Sequence, residues 1–409
     1  MALVMMERMK ATIKTFQSGC GDCIFLILKD ETKKESFHVL IDCGKFTSEI
    51  KDFIMNDLDF RIDMLIVSHY DNDHVLGFID MLRDADLANL EIGKIIYNCF
   101  QDYDVKNVAS ISDENSIQLD RYASNIHPSK GLAETKIGAP QASLLCLLIK
   151  SNPKWYNVWD KKIFIEGDTV CLGDDGKWGV FHILSPSKNA LDALKHDFIK
   201  EYTKCVHECP PKQAFENQEK YWEMLLRIAS SKPSLKKKIP ISSSIVTKDF
   251  LQKKAIINPD ESKITPPNKA SLALIWECNG KKVLLAGDAV ASQLYKAIRD
   301  LYQQEYVLFE AIKIPHHGSK NNMSNELAQL IDAEQYFLTG GKKGEGPNYE
   351  TLAKIILHPL SKNVHSHTIR YNRVVNLAEL NTLIKEENNE LLSELNAKLI
   401  NENEYTFEY

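Results

Sequence analysis

The stretch Ser68-His69-Tyr70-Asp71-Asn72-Asp73-His74 places four side chains able to hold a divalent metal within six positions. Imidazole nitrogens and carboxylate oxygens suit zinc, manganese or iron(II), and sharing them between two ions leaves each ion an open position for water. Such a pair of ions lowers the pKa of a bridging water and polarises a phosphoryl or carbonyl oxygen, the chemistry of metal-dependent hydrolysis. A polar loop with chance histidine and aspartate content is the bland alternative. It predicts nothing elsewhere in the chain, whereas a metal site requires further ligands at other strand ends.

Two such places exist. Val283-Leu284-Leu285-Ala286-Gly287-Asp288 reads as a strand ending in a carboxylate beside a small residue. An aspartate before a helix also suits an N-cap. Ile314-Pro315-His316-His317-Gly318-Ser319 puts paired histidines at the end of another strand. A single histidine there would ordinarily be structural; a pair beside glycine and serine argues for a site.

The elements that must position these groups alternate in type. Ile13–Phe16, Cys23–Leu28 and Phe37–Ile41 are β-prone runs, split by a polar turn from Asp30 to Glu35. Met64–Ser68 is a continuous apolar run of the kind found in a buried strand, and Leu76, Ile79 and Leu82 then resume a helical period. Leu272–Trp276 and Lys282–Ala286 flank Asn279-Gly280, a strong hairpin signal. A helix over Val290–Tyr302, strands at Ala311–Ile314 and Gln335–Leu338, a glycine-rich loop (Gly340, Gly341, Gly344, Gly346) and a helix over Tyr349–Leu357 follow.

Between about Phe100 and Pro267 the pattern weakens. Polar stretches, Pro210-Pro211 and Lys236–Lys238 suggest loops and helices inserted into a core, with no internal repeat. Residues 9–375 therefore read as one domain with an insertion at about 100–267, and residues 376–409 as a tail. Leu377, Leu380, Ile384, Leu391, Leu395 and Leu399 give that tail an amphipathic helix or helix pair. It is expected to pack on its own domain; binding a protein partner, or self-association, is the other use of such a face.

These segments together resemble the metallo-β-lactamase superfamily, whose binuclear site uses an HxHxDH motif, a later strand-end aspartate and a final histidine. More narrowly, the chain is similar to the metallo-β-lactamase-like domain of the ComEC competence proteins. The resemblance rests on Gln17-Ser18-Gly19-Cys20-Gly21-Asp22-Cys23, Leu40-Ile41-Asp42-Cys43-Gly44, the HxDxDH form at His69 to His74, Asn268-Lys269-Ala270-Ser271-Leu272, Leu285-Ala286-Gly287-Asp288 and Pro315-His316-His317-Gly318-Ser319. It implies an αββα four-layer sandwich, helices outside two mixed sheets, with a large central insertion and a C-terminal helical tail. It implies two divalent ions, Zn2+ or Mn2+, held by His69, Asp71, Asp73, His74, Asp288 and one of the paired histidines, His316 being the expected ligand. Asp73 would also orient the attacking hydroxide, and His317 would donate to the transition-state oxyanion. Asp22 and Asp42 would orient ligands by hydrogen bonds, and Asn268 and Ser271 would flank the pocket.

The implied activity is that of a cytoplasmic phosphodiesterase or nuclease acting on nucleic acid or nucleotides. Ester or lactam hydrolysis shares the same metal chemistry, and a metal-stabilised regulatory subunit, as in anti-phage defence, is the non-enzymatic alternative. No histidine is assignable to the mid-chain ligand position many members use, though His127, His182 and His196 are available. The ComEC transmembrane channel has no counterpart here, so DNA transport is not implied.

Other features carry less. Lys313, Lys320, Lys342 and Lys343 are placed to meet phosphate near the pocket, or are simply solvated. Cys20 and Cys23 form a CxxC without a second pair, and Cys205, His207 and Cys209 lack a fourth ligand. His365 and His367 read as surface or loop residues, and the glycine loop lacks the Gly-Lys-Ser/Thr of a phosphate-binding loop. The net charge of -6 excludes a global positive field for nucleic acid. The longest apolar run, Ala142–Ile149, is far below the roughly 20 residues a membrane span needs. An odd count of 9 cysteines and no export signal point to a reducing cytoplasm.

Overall fold

The alternation of the N-terminal β-prone runs is realised as an antiparallel meander: β1 (Met9–Thr15), β2 (Ile24–Asp30) and β3 (Glu35–Ile41). The chain then turns to parallel strands linked by helices: α1 (Ser48–Asn56), β4 (Arg61–Val67), α2 (Asn72–Met81) and β5 (Glu91–Tyr97). Helices α3 (Ala139–Ser151) and α4 (Lys188–Val206) bracket three short strands, β6 (Trp159–Asp160), β7 (Thr169–Cys171) and β8 (Val180–Ser185). After α5 (Lys248–Ala255) the same plan repeats. The hairpin β9 (Ala273–Cys278) and β10 (Lys281–Leu285) turns through Asn279 and Gly280, both with positive φ, and precedes α6 (Ala291–Tyr302) and β11 (Val307–Lys313). Then come α7 (Asn325–Leu330), β12 (Ile331–Leu338), α8 (Tyr349–Ile356), β13 (His367–Tyr371), α9 (Ala378–Leu383), α10 (Asn389–Glu394), β14 (Ala397–Ile400) and β15 (Glu404–Glu408). This computed structural model describes residues 8–98, 139–206, 246–341, 346–372 and 378–409. His127, His207, Cys209, Lys342, Lys343, Gly344, Leu377, Pro210-Pro211 and Lys236–Lys238 lie outside the described residues.

The strands form two mixed sheets, ordered β15-β1-β2-β3-β4-β5-β6 and β14-β13-β12-β11-β10-β9-β8-β7. Side-chain alternation explains how they stack. On β2, Ile24, Leu26 and Leu28 enter the core shared with the second sheet, while Phe25 and Ile27 enter an outer core with α1, α2 and α3. On β9 and β10, Leu274, Trp276, Val283 and Leu285 enter the shared core; Ala273, Ile275 and Leu284 pack outward with α5, α6 and α8. Three apolar layers thus separate helix, sheet, sheet and helix, and the expected αββα sandwich is the observed architecture.

Two segments differ from the sequence reading. Part of the stretch read as an insertion belongs to the sheets: β6 extends the first, and β7 and β8 edge the second, with Val170, Phe181 and Ile183 in the shared core. β6 and β7, of two and three residues, are too short for a period to register. The tail is helical only in part. Leu380, Leu383 and Leu392 are buried against the second sheet's outer core, as packing on its own domain requires. Asn396, at φ 51, ends the last helix, and Leu399, which the helical spacing included, lies in β14. Strand β14 pairs parallel with β13, and β15 crosses to pair antiparallel with β1. The last residues therefore join both sheets.

That closure is testable. Phe407 is buried in the shared core 6.1 Å from the Trp276 ring, and the Tyr409 ring meets Trp276 edge-on at 4.9 Å. Phe407→Ala should cost about 3 kcal/mol in urea unfolding, whereas an independent tail would leave the midpoint unchanged.

Candidate metal centre

The functional side chains stand at the C-terminal ends of parallel strands, where loops are free to carry them. His69 to His74 follow β4 and open α2, Asp288 follows β10, and His316 and His317 follow β11. The N-cap of α6 is Val290, so Asp288 does not serve as that helix's cap. His316 and His317 both adopt positive φ, 46° and 52°. For residues with a Cβ this is uncommon and costs on the order of 1–3 kcal/mol each. The strained turn brings both rings back over the sheet end.

Everything converges on one carboxylate oxygen. Asp288 Oδ2 lies 3.8 Å from His69 Nε2, 3.5 Å from His74 Nε2, 3.8 Å from His317 Nε2 and 3.4 Å from His316 Nε2. Asp71 Oδ2 approaches His69 Nε2 at 3.8 Å, and Asp73 Oδ2 approaches His317 Nε2 at 3.7 Å. The six residues that the resemblance marked as ligands, and His317 besides, are thus assembled in one place. His182 instead faces Glu277 and His196 is exposed on α4, so neither fills the mid-chain position among the described residues.

The outer nitrogens determine what the inner ones can do. His74 Nδ1 donates to Asp42 Oδ2 at 2.7 Å, and His317 Nδ1 donates to the Thr339 carbonyl at 3.1 Å. Ser68 Oγ has one proton, which it gives to Asp42 Oδ2 at 2.6 Å; it must therefore accept from His69 Nδ1 at 2.9 Å. In each neutral ring the lone pair is left on Nε2, facing Asp288. These three Nε2 atoms are buried and make no hydrogen bond. With the rings neutral, three lone pairs aimed at ionised carboxylates repel one another unless a cation lies between them. Protons on His74 and His317 offset this in the metal-free protein, and once these leave the donor set fits divalent metal.

His316 differs. Its Nδ1 donates to Asn322 Oδ1 at 2.9 Å, since the Asn322 amide nitrogen is committed to the carbonyls of Asp288 and Ala289. Its Nε2 already receives the Asn268 amide at 3.1 Å, because Asn268 Oδ1 accepts from Thr265. Its ring is the more exposed of the pair.

The remaining expected residues hold the ligands. Asn268 also donates to Asp288 Oδ2, and Ser271 Oγ accepts from the Asp288 backbone N–H. Asp42 receives the Ser68 backbone N–H as well. Asp22 accepts from Thr339 Oγ1 and lies 3.2 Å from His317 Nδ1. Lys313, expected to reach for phosphate, is buried and pairs with Asp22 at 2.5 Å, donating also to the Gly287 carbonyl. It neutralises the centre from beneath. Lys320 is exposed. Sequence reasoning missed Ser68, Thr339 and Asn322; the first is adjacent to the motif, but nothing local marks the other two.

Electrostatics follow from burial and charge. Burial opposes protonation of His74, yet Asp288 and Asp42 raise its pKa well above that of a free histidine. The same opposition at His317 is overcome by Asp288 and Asp22, which push it up to about 9. His69 is pushed down to about 3 by burial and by His74. Burial resists ionisation of Asp288 and Asp73, but the surrounding imidazoles hold both below the ordinary carboxylate range.

No protein-family model matches the chain, and no curated protein does. Among solved structures 12 chains match. One is a mutant of CmlA beta-hydroxylase, 10% identical over 97% of this chain with a TM-score of 0.36. The present chain covers 54% of that structure, about half its length.

Two outcomes follow from this geometry. A Cβ on Gly21 would sit 1.4 Å from the Asp73 carbonyl oxygen, so Gly21→Ala must displace the ligand loop. Its zinc affinity by titration calorimetry should fall on the order of 10–100-fold; wild-type affinity would show that the loop is not part of the site. Because His74 and His317 hold protons that an ion must displace, zinc affinity against a competing chelator should rise steadily from about pH 6 to about pH 9. A flat profile would contradict the assignment of these rings.

Proposed function

We propose that the protein is a metal-dependent hydrolase using two divalent ions, with phosphodiesters of nucleic acid or nucleotides as its substrates. The observation that carries this reading is the convergence of three lone-pair-bearing Nε2 atoms and the Asp71, Asp73 and Asp288 carboxylates on one buried point. Asp288 is placed to be shared: one cluster of ligand atoms joins it to His69 and His74, and another joins it to His317 and Asp22. Bound there, the ions would polarise a phosphoryl oxygen and acidify water. The phosphodiester itself rests on the resemblance of the six sequence segments to ComEC-type domains.

The hydrogen bonds support exchanging the roles first given to the paired histidines. His317, with its Nε2 lone pair directed inward, is the ligand. His316, engaged by Asn322 and Asn268, lines the pocket beside the incoming substrate. Asp73, whose side chain is partly exposed, is positioned to align the attacking water and receive its proton.

The test is a panel of single-stranded DNA, double-stranded DNA, RNA, cyclic nucleotides and bis-p-nitrophenyl phosphate, run with manganese and with zinc. Turnover should be lost by at least a thousandfold in Asp73→Ala while its circular dichroism is unchanged. His317→Ala should lose metal, and His316→Ala should keep it with lower turnover. A fully metal-loaded wild type that cleaves none of these would overturn the reading.

A further inference from the structure

A second cluster of ligand-type side chains lies at the other end of the second sheet. Asp332 near the start of β12, His367 at the start of β13 and His358 just after α8 bring a carboxylate and two imidazoles within 4.8 Å of one another. Strand β12 runs from this cluster toward the first centre, and seven residues of extended chain separate the two by roughly 20 Å. His367 is fully buried, not the surface or loop residue its sequence context suggested. A position opening a buried parallel strand carries no local signal of burial when its neighbours His365 and Ser366 are polar.

Asp332 is held firmly. Its Oδ1 accepts from the Ala333 backbone N–H at 2.9 Å, Tyr336 Oη at 3.1 Å and His367 Nε2 at 2.9 Å; its Oδ2 accepts from the Ser361 backbone N–H at 3.1 Å. Two buried ring nitrogens in the cluster make no hydrogen bond, His367 Nδ1 and His358 Nδ1, and His358 Nδ1 stops 3.7 Å from Asp332 Oδ2. That gap is too long for a hydrogen bond but close to the separation of two donors each about 2.0–2.1 Å from one tetrahedral ion.

We propose that Asp332, His358 and His367 form a second, structural site for a divalent transition ion, zinc by its nitrogen and oxygen donors. The ligands would be His358 Nδ1, Asp332 Oδ2 and His367 Nε2, the ion replacing the His367 proton that now faces Asp332, with water from the adjoining groove as the fourth ligand. The groove, about 510 Å³, is lined by His358, Leu360 and Glu394. An ion there ties β12, β13 and the segment after α8 together without touching the catalytic end. The orienting bonds from Tyr336 and the Ser361 N–H are those a metal-bound carboxylate requires.

Zinc content of the dialysed full-length protein, measured by elemental mass spectrometry, decides it. His358→Ala should hold one equivalent less zinc than wild type while phosphodiester turnover stays the same. His358→Cys, which keeps a zinc donor, should retain the ion. Zinc should raise the melting temperature more in wild type than in His358→Ala. Equal zinc in wild type and His358→Ala, or loss of the ion from a folded His358→Cys, overturns the proposal. Because the readout is metal content, it stands or falls separately from any hydrolase activity.

Discussion

The outward hydrogen bonds of His69, His74 and His317 constrain the whole centre. Ser68, Asp42 and Thr339 each engage an Nδ1, so the three rings have no choice of tautomer when neutral and present Nε2 to Asp288. Remove one outer acceptor and its ring can turn or carry its proton inward, where it repels a cation. Asp42 matters most: it accepts the Ser68 backbone N–H, the Ser68 hydroxyl and His74 Nδ1 together. It thereby fixes two ligands through a single carboxylate, and its own φ of 59° is the backbone strain that this reach requires.

The fold supplies these acceptors from separate elements. Asp42 follows β3, Ser68 follows β4, Asp288 follows β10 and Thr339 follows β12. Parallel pairing puts neighbouring strand ends at one level, while the sandwich brings the ends of both sheets face to face. The close approach needs glycine. Gly340 leaves no room for a Cβ, which would fall 2.4 Å from His317 Nδ1, and Gly21 lies against the Asp73 carbonyl. The glycine-rich segments around the site therefore serve backbone proximity more than flexibility.

Much of this was legible because ligands must be polar residues in an apolar setting. The His69–His74 cluster after a buried strand, the strand-end Asp288 and the paired histidines each break a hydrophobic pattern at a definite place. Their assembly, and the paired sheets, match that reading. The choice between His316 and His317 was not legible, since it depends on Asn268 and Asn322, whose own amide directions are set by Thr265 and two carbonyls. Lys313 looked like a solvent-facing phosphate contact because lysine is seldom buried; only the fold places Asp22 beneath it. The edge strands β6 and β7 and the closing strands β14 and β15 are too short for periodicity to separate them from loop or helix.

Charge balance supports the proposed pair of ions over a single one. Asp22, Asp42, Asp71, Asp73 and Asp288 bring five negative charges to a mostly buried volume, and Lys313 returns one positive charge. Protons on His74 and His317 are the remaining offset in the metal-free protein, and two of them leave the site two charges short. One dication with neutral imidazoles leaves the same deficit of two. Two dications close it, with every imidazole neutral and every Nε2 lone pair engaged. In a low-dielectric site an uncompensated charge of that size costs several kcal/mol, so a motif this rich in carboxylates favours binding the second proposed ion as much as the first.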